Sequence, residues 1–321
     1  MILAGIDEAG YGPLLGPLVV GCAAFEAADA SSPPCLWKTL AMAVSAKRDR
    51  TGRRLHVNDS KAVYTPASGL SQLERSVLAF AEAAFGGPIG RLDELLASVC
   101  PDSREHLRPH PWYATTADEA FPIDNEPASV GVSANALKVE MRRASVRCVG
   151  LRALVVPEGR FNQLVNQTRN KASVLFTQVA THLDRLLNAD GDGPVHIVCD
   201  RQGGREHYAR LLMQMFDDWT LSVEIESESL SRYTMTRAGR LATLTFREKA
   251  EQASLPVALA SMLCKYLREA LMGRFNAWWR RHAPELKPTA GYYQDALRFL
   301  KDIEPVRTRL GIREADMVRV R

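Results

Sequence analysis

Two short apolar runs, Ile2 to Ile6 and Pro17 to Phe25, are separated by Asp7-Glu8-Ala9-Gly10-Tyr11-Gly12-Pro13. Runs of this length and composition read as buried strands, and the glycines between them as the turn that joins the strands. The chain is therefore committed to a buried sheet from its first residues. The same segment carries its chemistry: an adjacent pair of acids stands where a buried strand emerges, and burying charge there is costly without compensation. An isolated Asp-Glu pair is often a solvent-facing turn, but Gly10 and Gly12 would let a ligand approach the backbone closely.

The 321 residues, 46% hydrophobic and 24% charged, can bury one large core or two modest ones, which excludes a disordered or collagen-like chain. No apolar run reaches the roughly 18 residues of a membrane span, and Met-Ile-Leu-Ala-Gly-Ile-Asp lacks signal-peptide features, so a cytoplasmic protein with no membrane partner is expected. Cys22, Cys35, Cys100, Cys148, Cys199 and Cys264 are scattered without CxxC or paired Cys/His spacing, which favours free thiols over a zinc site or disulfide framework. A net charge of +4 permits a polyanionic partner without demanding one. Three basic groups make nucleic acid a serious candidate: Lys47, Arg48, Arg50, Arg53 and Arg54; Arg268, Arg274, Arg280, Arg281 and His282; and Arg307, Arg309, Arg313, Arg319 and Arg321. Each group alone also suits a solvated face.

Along the chain, helical spacing predicts helices over 70–85, 161–188, 205–216, 257–281 with Pro256 in the first turn, and 292–300, with a further one around 37–46. Strands are expected over 146–156 and 195–199, and a meander over 221–226, 231–236 and 241–246, turning at Arg237-Ala238-Gly239-Arg240. Residues 27–56 read as an insertion, and 86 to about 130 as loop with short helices. The fold class is α/β, with a core over 1–265, insertions near 27–56 and 86–144, and a helical C-terminal extension over 266–321.

Two further acids stand at element ends. Asp200 closes the strand His196-Ile197-Val198-Cys199, where it could also be a turn or N-cap residue. Glu251 precedes the long helix and could equally complement its dipole. If the strands are neighbours, Asp7, Glu8, Asp200 and Glu251 form an oxygen-only cluster suited to Mg²⁺ or Mn²⁺ rather than zinc. Two such ions roughly 3.5–4 Å apart would serve an in-line phosphodiester displacement, the chemistry of a metal-dependent nuclease.

These residues resemble the ribonuclease HII (type 2 ribonuclease H) family. Asp7 to Pro13 with Gly16-Pro17-Leu18-Val19-Val20 is similar to its opening block, and Asn58-Asp59-Ser60-Lys61 to its Asp-Ser-Lys. Val198-Cys199-Asp200 stands in the place of its strand-ending aspartate. Lys249-Ala250-Glu251 with Ala260-Ser261 and Lys265, and Thr289-Ala290-Gly291-Tyr292, resemble its later blocks. The resemblance implies a ribonuclease H-like mixed sheet flanked by helices and endonucleolytic cleavage of RNA in RNA–DNA hybrids. It makes Asp7, Glu8, Asp200 and Glu251 catalytic metal ligands, and Gly10, Tyr11, Gly12, Lys61, Lys265 and Tyr292 substrate contacts. For the two lysines the other reading is a salt bridge to the acids, and for Tyr292, or its neighbour Tyr293, a place in the core.

Three positions depart from the family pattern. Tyr11 replaces an arginine, which removes its charge from the loop while leaving the backbone able to approach a ribose 2′-OH. Glu251 replaces an aspartate, and its extra methylene bears on the choice between Mg²⁺ and Mn²⁺. Arg201 follows Asp200 where the family has glycine. A hybrid-binding protein of the same fold without efficient catalysis, and a nuclease for structured DNA, are the other functions compatible with these residues. Trp278-Trp279 cannot face one way on a helix, so one is expected in the core and one near the surface.

Overall fold

The structure, a computed structural model, describes residues 1–28, 32–114 and 119–320. The parts of the two expected insertions at 29–31 and 115–118, and the basic residue Arg321, lie outside the described residues. The strands are β1 (Ile2–Ala9), β2 (Leu18–Glu26), β3 (Arg147–Val156), β4 (Val195–Asp200), β5 (Thr220–Glu226), β6 (Leu230–Arg237) and β7 (Arg240–Arg247). They form one mixed sheet in the order β3-β2-β1-β4-β7-β6-β5. The junctions β1–β4 and β4–β7 are parallel and the others antiparallel.

The principal helices are α1 (Ser71–Phe85), α2 (Pro127–Arg143), α3 (Glu158–Thr168), α4 (Lys171–Leu187), α5 (Leu255–His282) and α6 (Tyr293–Arg309). Strand alternation divides the apolar residues between two cores. Leu3, Val19, Ala23 and Phe25 pack with α5 and α1 on one face, while Ala4, Ile6, Leu18, Val20 and Cys22 pack with α4 on the other. An α/β sheet flanked by helices is thus what the sequence implied. No helix among the described residues is long and apolar enough to cross a membrane.

Several boundaries differ from expectation. The helix expected over 161–188 is two helices, because Arg169 adopts a left-handed φ of 52° and the Asn170 side chain caps α4 by accepting from Ala172 N at 2.8 Å and Ser173 N at 3.2 Å. Helix α2 was not anticipated, although Pro127 starts it and Val130, Ala134, Leu137 and Met141 form its buried stripe. The helix expected around 37–46 is a single turn, Leu36–Thr39, and Val44–Ser45 instead pairs in parallel with Leu55–His56. The helix expected over 205–216 is limited to Ala209–Met215, after a turn through Gly203 and Gly204. The last helix runs on to Arg309, with Pro305 inside it. Helix α5 runs unbroken through residues 265 and 266, where an extension was expected to begin.

The basic groups also sort differently from expectation. Arg268 and Arg274 are buried: Arg268 bonds backbone carbonyls, and Arg274 pairs with Asp93 at 2.8 Å and Glu119 at 2.6 Å. Arg307 pairs with Glu304, Arg313 with Asp316, and Arg319 is buried. Arg268, Arg274 and Arg319 are therefore structural, whereas Arg280, Arg281 and Arg309, like Lys47, Arg48, Arg50 and Arg53, are exposed.

Candidate active site

Parallel pairing of β1 with β4 brings the acids together. Gly5 lies opposite Val198 and Ile6 opposite Cys199, so the next residues along the two strands are Asp7 and Asp200. Both project toward α5, since Ile6 and Cys199 point into the opposite core. Helix α5 lies directly on this point because Gly5 has no side chain: a Cβ there would stand 2.1 Å from Val257 N. Gly21, opposite Asp7 on β2, gives the same close approach to Cys264. In consequence Ser261 donates its hydroxyl to the Asp7 carboxylate with Ser60 Oγ 3.1 Å away, and the Cys264 thiol reaches the Asp7 carbonyl at 3.3 Å. The Glu8 amide donates to Asp7 Oδ1 at 2.7 Å, and the Ala250 amide to Asp200 Oδ1 at 3.2 Å. The second bond ties the short turn Ala250–Gln252, and with it Glu251, to the end of β4.

The four acids lie within one electrostatic neighbourhood. Burial, then the charges of Glu8 and Asp200, push the Asp7 carboxyl well above the usual aspartate range. Burial and Asp200 raise Glu8 to about 7, against the pull of Lys61. Asp200 and Glu251 are both raised, chiefly by burial. Asp59 raises both of them further, and Lys61 opposes it. Asp59 thus belongs to the constellation, although sequence reasoning selected only Lys61 from that block. The signal that could have found it was the Asp-Ser-Lys itself, whose aspartate also caps the turn Ser60–Val63 by accepting from Lys61 N at 3.0 Å.

The remaining candidates fall in different places. Gly10 is a structural glycine: its φ is 84°, and a Cβ would meet Pro17 O at 2.6 Å and the Arg268 side chain. Gly12 is exposed and has open space where a side chain would stand, so of these two glycines it is the one a ligand can approach. The Tyr11 ring is half-buried with Lys171 Nζ 4.8 Å from its centroid, and burial and Glu8 raise its hydroxyl. Lys265 pairs with Glu269 at 2.6 Å and lies over the Tyr64 ring, so its charge is committed to a neighbour one helical turn away, not to the acids. Tyr292 and Tyr293 are both exposed, which removes the core reading for either. Trp279 is in the core and Trp278 is half-buried. The six cysteines are free, and all but Cys35 are buried.

Carboxylate oxygens alone make up the acid cluster, and hard divalent cations prefer such donors. The donor types therefore fit Mg²⁺ or Mn²⁺. Their arrangement is looser than a ready-made cage: among the described residues no three His, Cys, Asp or Glu side chains are placed to hold an ion.

No family model matches the chain, and no curated protein matches it. Among solved structures it is similar to the ribonuclease HII of Archaeoglobus fulgidus in its complex with PCNA, with 15% identity and a TM-score of 0.45 over 100% of this chain and 95% of that one. It is similar to ribonuclease H2 from Pyrococcus horikoshii, with 15% identity and a TM-score of 0.41 over 99% and 92%. A variant of Bst-RNase HIII gives 16% identity and a TM-score of 0.45 over 99% and 65%.

Proposed function

We propose that this chain is a metal-dependent endonuclease of the ribonuclease H type that cleaves the RNA strand of RNA–DNA hybrids, with Asp7, Glu8, Asp200 and Glu251 holding Mg²⁺ or Mn²⁺. The observation that carries the reading is the meeting of acids from three distant segments at the adjoining ends of two parallel strands, each made harder to ionise by burial or by the others. Like charges gathered in a buried place favour a cation among them. When bound, such ions would activate water and stabilise the leaving oxygen of the cleaved phosphodiester.

The chain's own groups have the remaining tasks. Ser261 and the Glu8 amide orient the Asp7 carboxylate, and the Ala250 amide orients Asp200. Lys61 offsets the charge of Glu8, Asp200 and Glu251. The unobstructed backbone at Gly12 can approach a ribose 2′-OH, and exposed Tyr292 can stack on a sugar or base. The loose placement of the acids favours a second reading, a hybrid-binding protein of this fold without turnover. The same cluster would also serve any phosphodiester, including structured DNA.

One assay separates these readings. Labelled hybrid, a duplex with one ribonucleotide, and all-DNA duplex are incubated with the pure protein and Mg²⁺ or Mn²⁺. Cutting confined to the ribose-containing strands supports the proposal, and no cutting with either ion at any concentration rejects it. Equal cutting of DNA moves the assignment to a DNA nuclease, and tight hybrid binding without hydrolysis to a binding protein. Asp200→Asn is expected to lower turnover more than about a hundredfold, since altering even an outer partner of a metal ligand costs about 10- to 100-fold. Circular dichroism should show the fold intact, and retained turnover would reject the metal role.

A further inference from the structure

A cavity of about 550 Å³ opens on the sheet face that carries Asp7 and Asp200. Strand alternation places it there. On β4, Ile197 and Cys199 enter the core under α4, so His196, Val198 and Asp200 share the opposite face. On β7, Ala242, Leu244 and Phe246 enter that core, leaving Thr243, Thr245 and Arg247 beside them; on β6, Arg232 is left in the same way. The groove follows β4 from His196 to Val198 and reaches Arg247, the residue paired in the sheet with Asp200, so it adjoins the candidate centre without including its acids. The first turn of α5, at Ser254 to Pro256, forms one wall, and residues 33–37 close the far end.

The charge in this groove is unspent. Arg232 lies opposite Thr245, two positions from Arg247, so the two guanidinium groups are diagonal neighbours on one face with roughly 7–8 Å between their positions. Among the described residues neither has a hydrogen bond or ion pair from its side chain. Other arginines of this region are committed: Arg201 to Glu248, Arg237 to Asp218, and Arg240 to the carbonyls of Leu187 and Ala189. Glu224 also lines the groove and keeps its negative charge while accepting from the Thr234 hydroxyl, so the two arginines outnumber it. Two uncommitted cations in a polar groove, with the positive end of a helix as one wall, suit a phosphate-bearing chain.

We infer that this groove is a binding track for the sugar–phosphate backbone of a single nucleic-acid strand that extends beyond the cleaved segment, held by Arg232 and Arg247. The inference deepens the nuclease reading and rests on it for the position of the cleaved segment. A free nucleotide presents the same phosphate chemistry, so the test has an arm for each source.

Fluorescence anisotropy would compare binding of a blunt RNA–DNA hybrid with hybrids carrying a ten-nucleotide single-stranded extension on either end, each tested separately in the absence of turnover-supporting metal. At least one extension is expected to tighten binding about tenfold. Arg232→Glu/Arg247→Glu and Arg232→Gln/Arg247→Gln should abolish that gain while leaving affinity for the blunt hybrid within about twofold. In salt titrations the dependence of the extended substrate should flatten by about 1.4 in log–log slope, for two lost contacts to a single strand. The inference is overturned if neither extension tightens binding, if the glutamine variant keeps the gain, or if adenosine or uridine monophosphate binds in an arginine-dependent way that the extension does not reproduce. Circular dichroism and thermal melting show whether the variants fold. An arginine-dependent gain in a protein that never cuts hybrid would sink the nuclease reading and spare the groove. Robust cutting without any gain would do the reverse.

Discussion

Arg319, 2% exposed, is the residue on which the loop after β1 depends. Its guanidinium donates to the carbonyls of Gly10 and Pro13 and lies over the Phe161 ring, while Arg268 holds the other side of the loop through the carbonyls of Leu15 and Pro17. Burial and the proximity of Arg268 push Arg319 down to about 9, partly offset by Glu158, so the bonds form against a considerable desolvation cost. Arg319→Met keeps an apolar stem over Phe161 but leaves two buried carbonyls unsatisfied, and should cost about 3 kcal/mol in urea unfolding with an unchanged m-value. A loss below about 0.5 kcal/mol would show that the loop holds itself. The roles of such residues were not legible in the sequence, because a run of arginines states charge and not burial. Asp7, Glu8, Asp200 and Glu251 were legible as candidates because each ends an element, where a charge needs a reason. Asp59 was hidden by its ordinary second task as a helix cap.

At the scale of elements, strands and hairpins were read well because apolar runs bounded by glycine are local signals. The division between α3 and α4 was not, since apolar periodicity continues across it and only the backbone at Arg169 reveals the break. Helix α2 was missed for a related reason: its buried stripe includes small alanine and serine, which carry little apolar contrast. Helix α4 itself is fixed to β2 by His182, fully buried, whose Nε2 lies 3.0 Å from the Val20 carbonyl. The carbonyl accepts, so Nε2 carries a proton, and burial disfavours a second one on the ring. Burial lowers His182 from 6.5 to about 4. As pH falls below 6.5 the unfolded chain takes up a proton that the folded chain refuses until about 4. The contribution of His182 is thus complete above 6.5, is lost progressively between 6.5 and about 4, and changes no further below that. The difference amounts to about 3 kcal/mol. His182→Gln should flatten the stability–pH curve over this window by a comparable amount relative to the unaltered chain. Parallel curves for the two proteins would show that the ring is hydrated or already charged when folded.

Across the whole molecule, the two cores lie on opposite faces of the sheet, and the C-terminal segment crosses from one side to the other. After α6 the chain returns to the start of the fold: the Arg319 amide donates to the Leu14 carbonyl at 2.9 Å, and Met317 is fully buried in the α5-side core. Asn162 of α3 grips the same segment, donating to the carbonyls of Ala315 at 2.8 Å and Val318 at 2.7 Å and accepting from the Val320 amide at 2.8 Å. A segment reading as an extension in sequence is therefore a strap over the loop that carries Gly10, Tyr11 and Gly12. Removing residues 314–321 would expose the Met317 site, strip Asn162 of three bonds and free that loop. Each lost bond to a buried group costs about 1 kcal/mol and the emptied Met317 site about 2–5 kcal/mol. The truncated chain should therefore lose more than about 4 kcal/mol of unfolding free energy, more than Arg319→Met alone, and its amides over residues 9–16 should exchange hydrogen faster while those of β4 stay protected. An appendage would behave otherwise: truncation would leave stability within about 0.5 kcal/mol and exchange over 9–16 unchanged, and the strap would then have no part in shaping the candidate site.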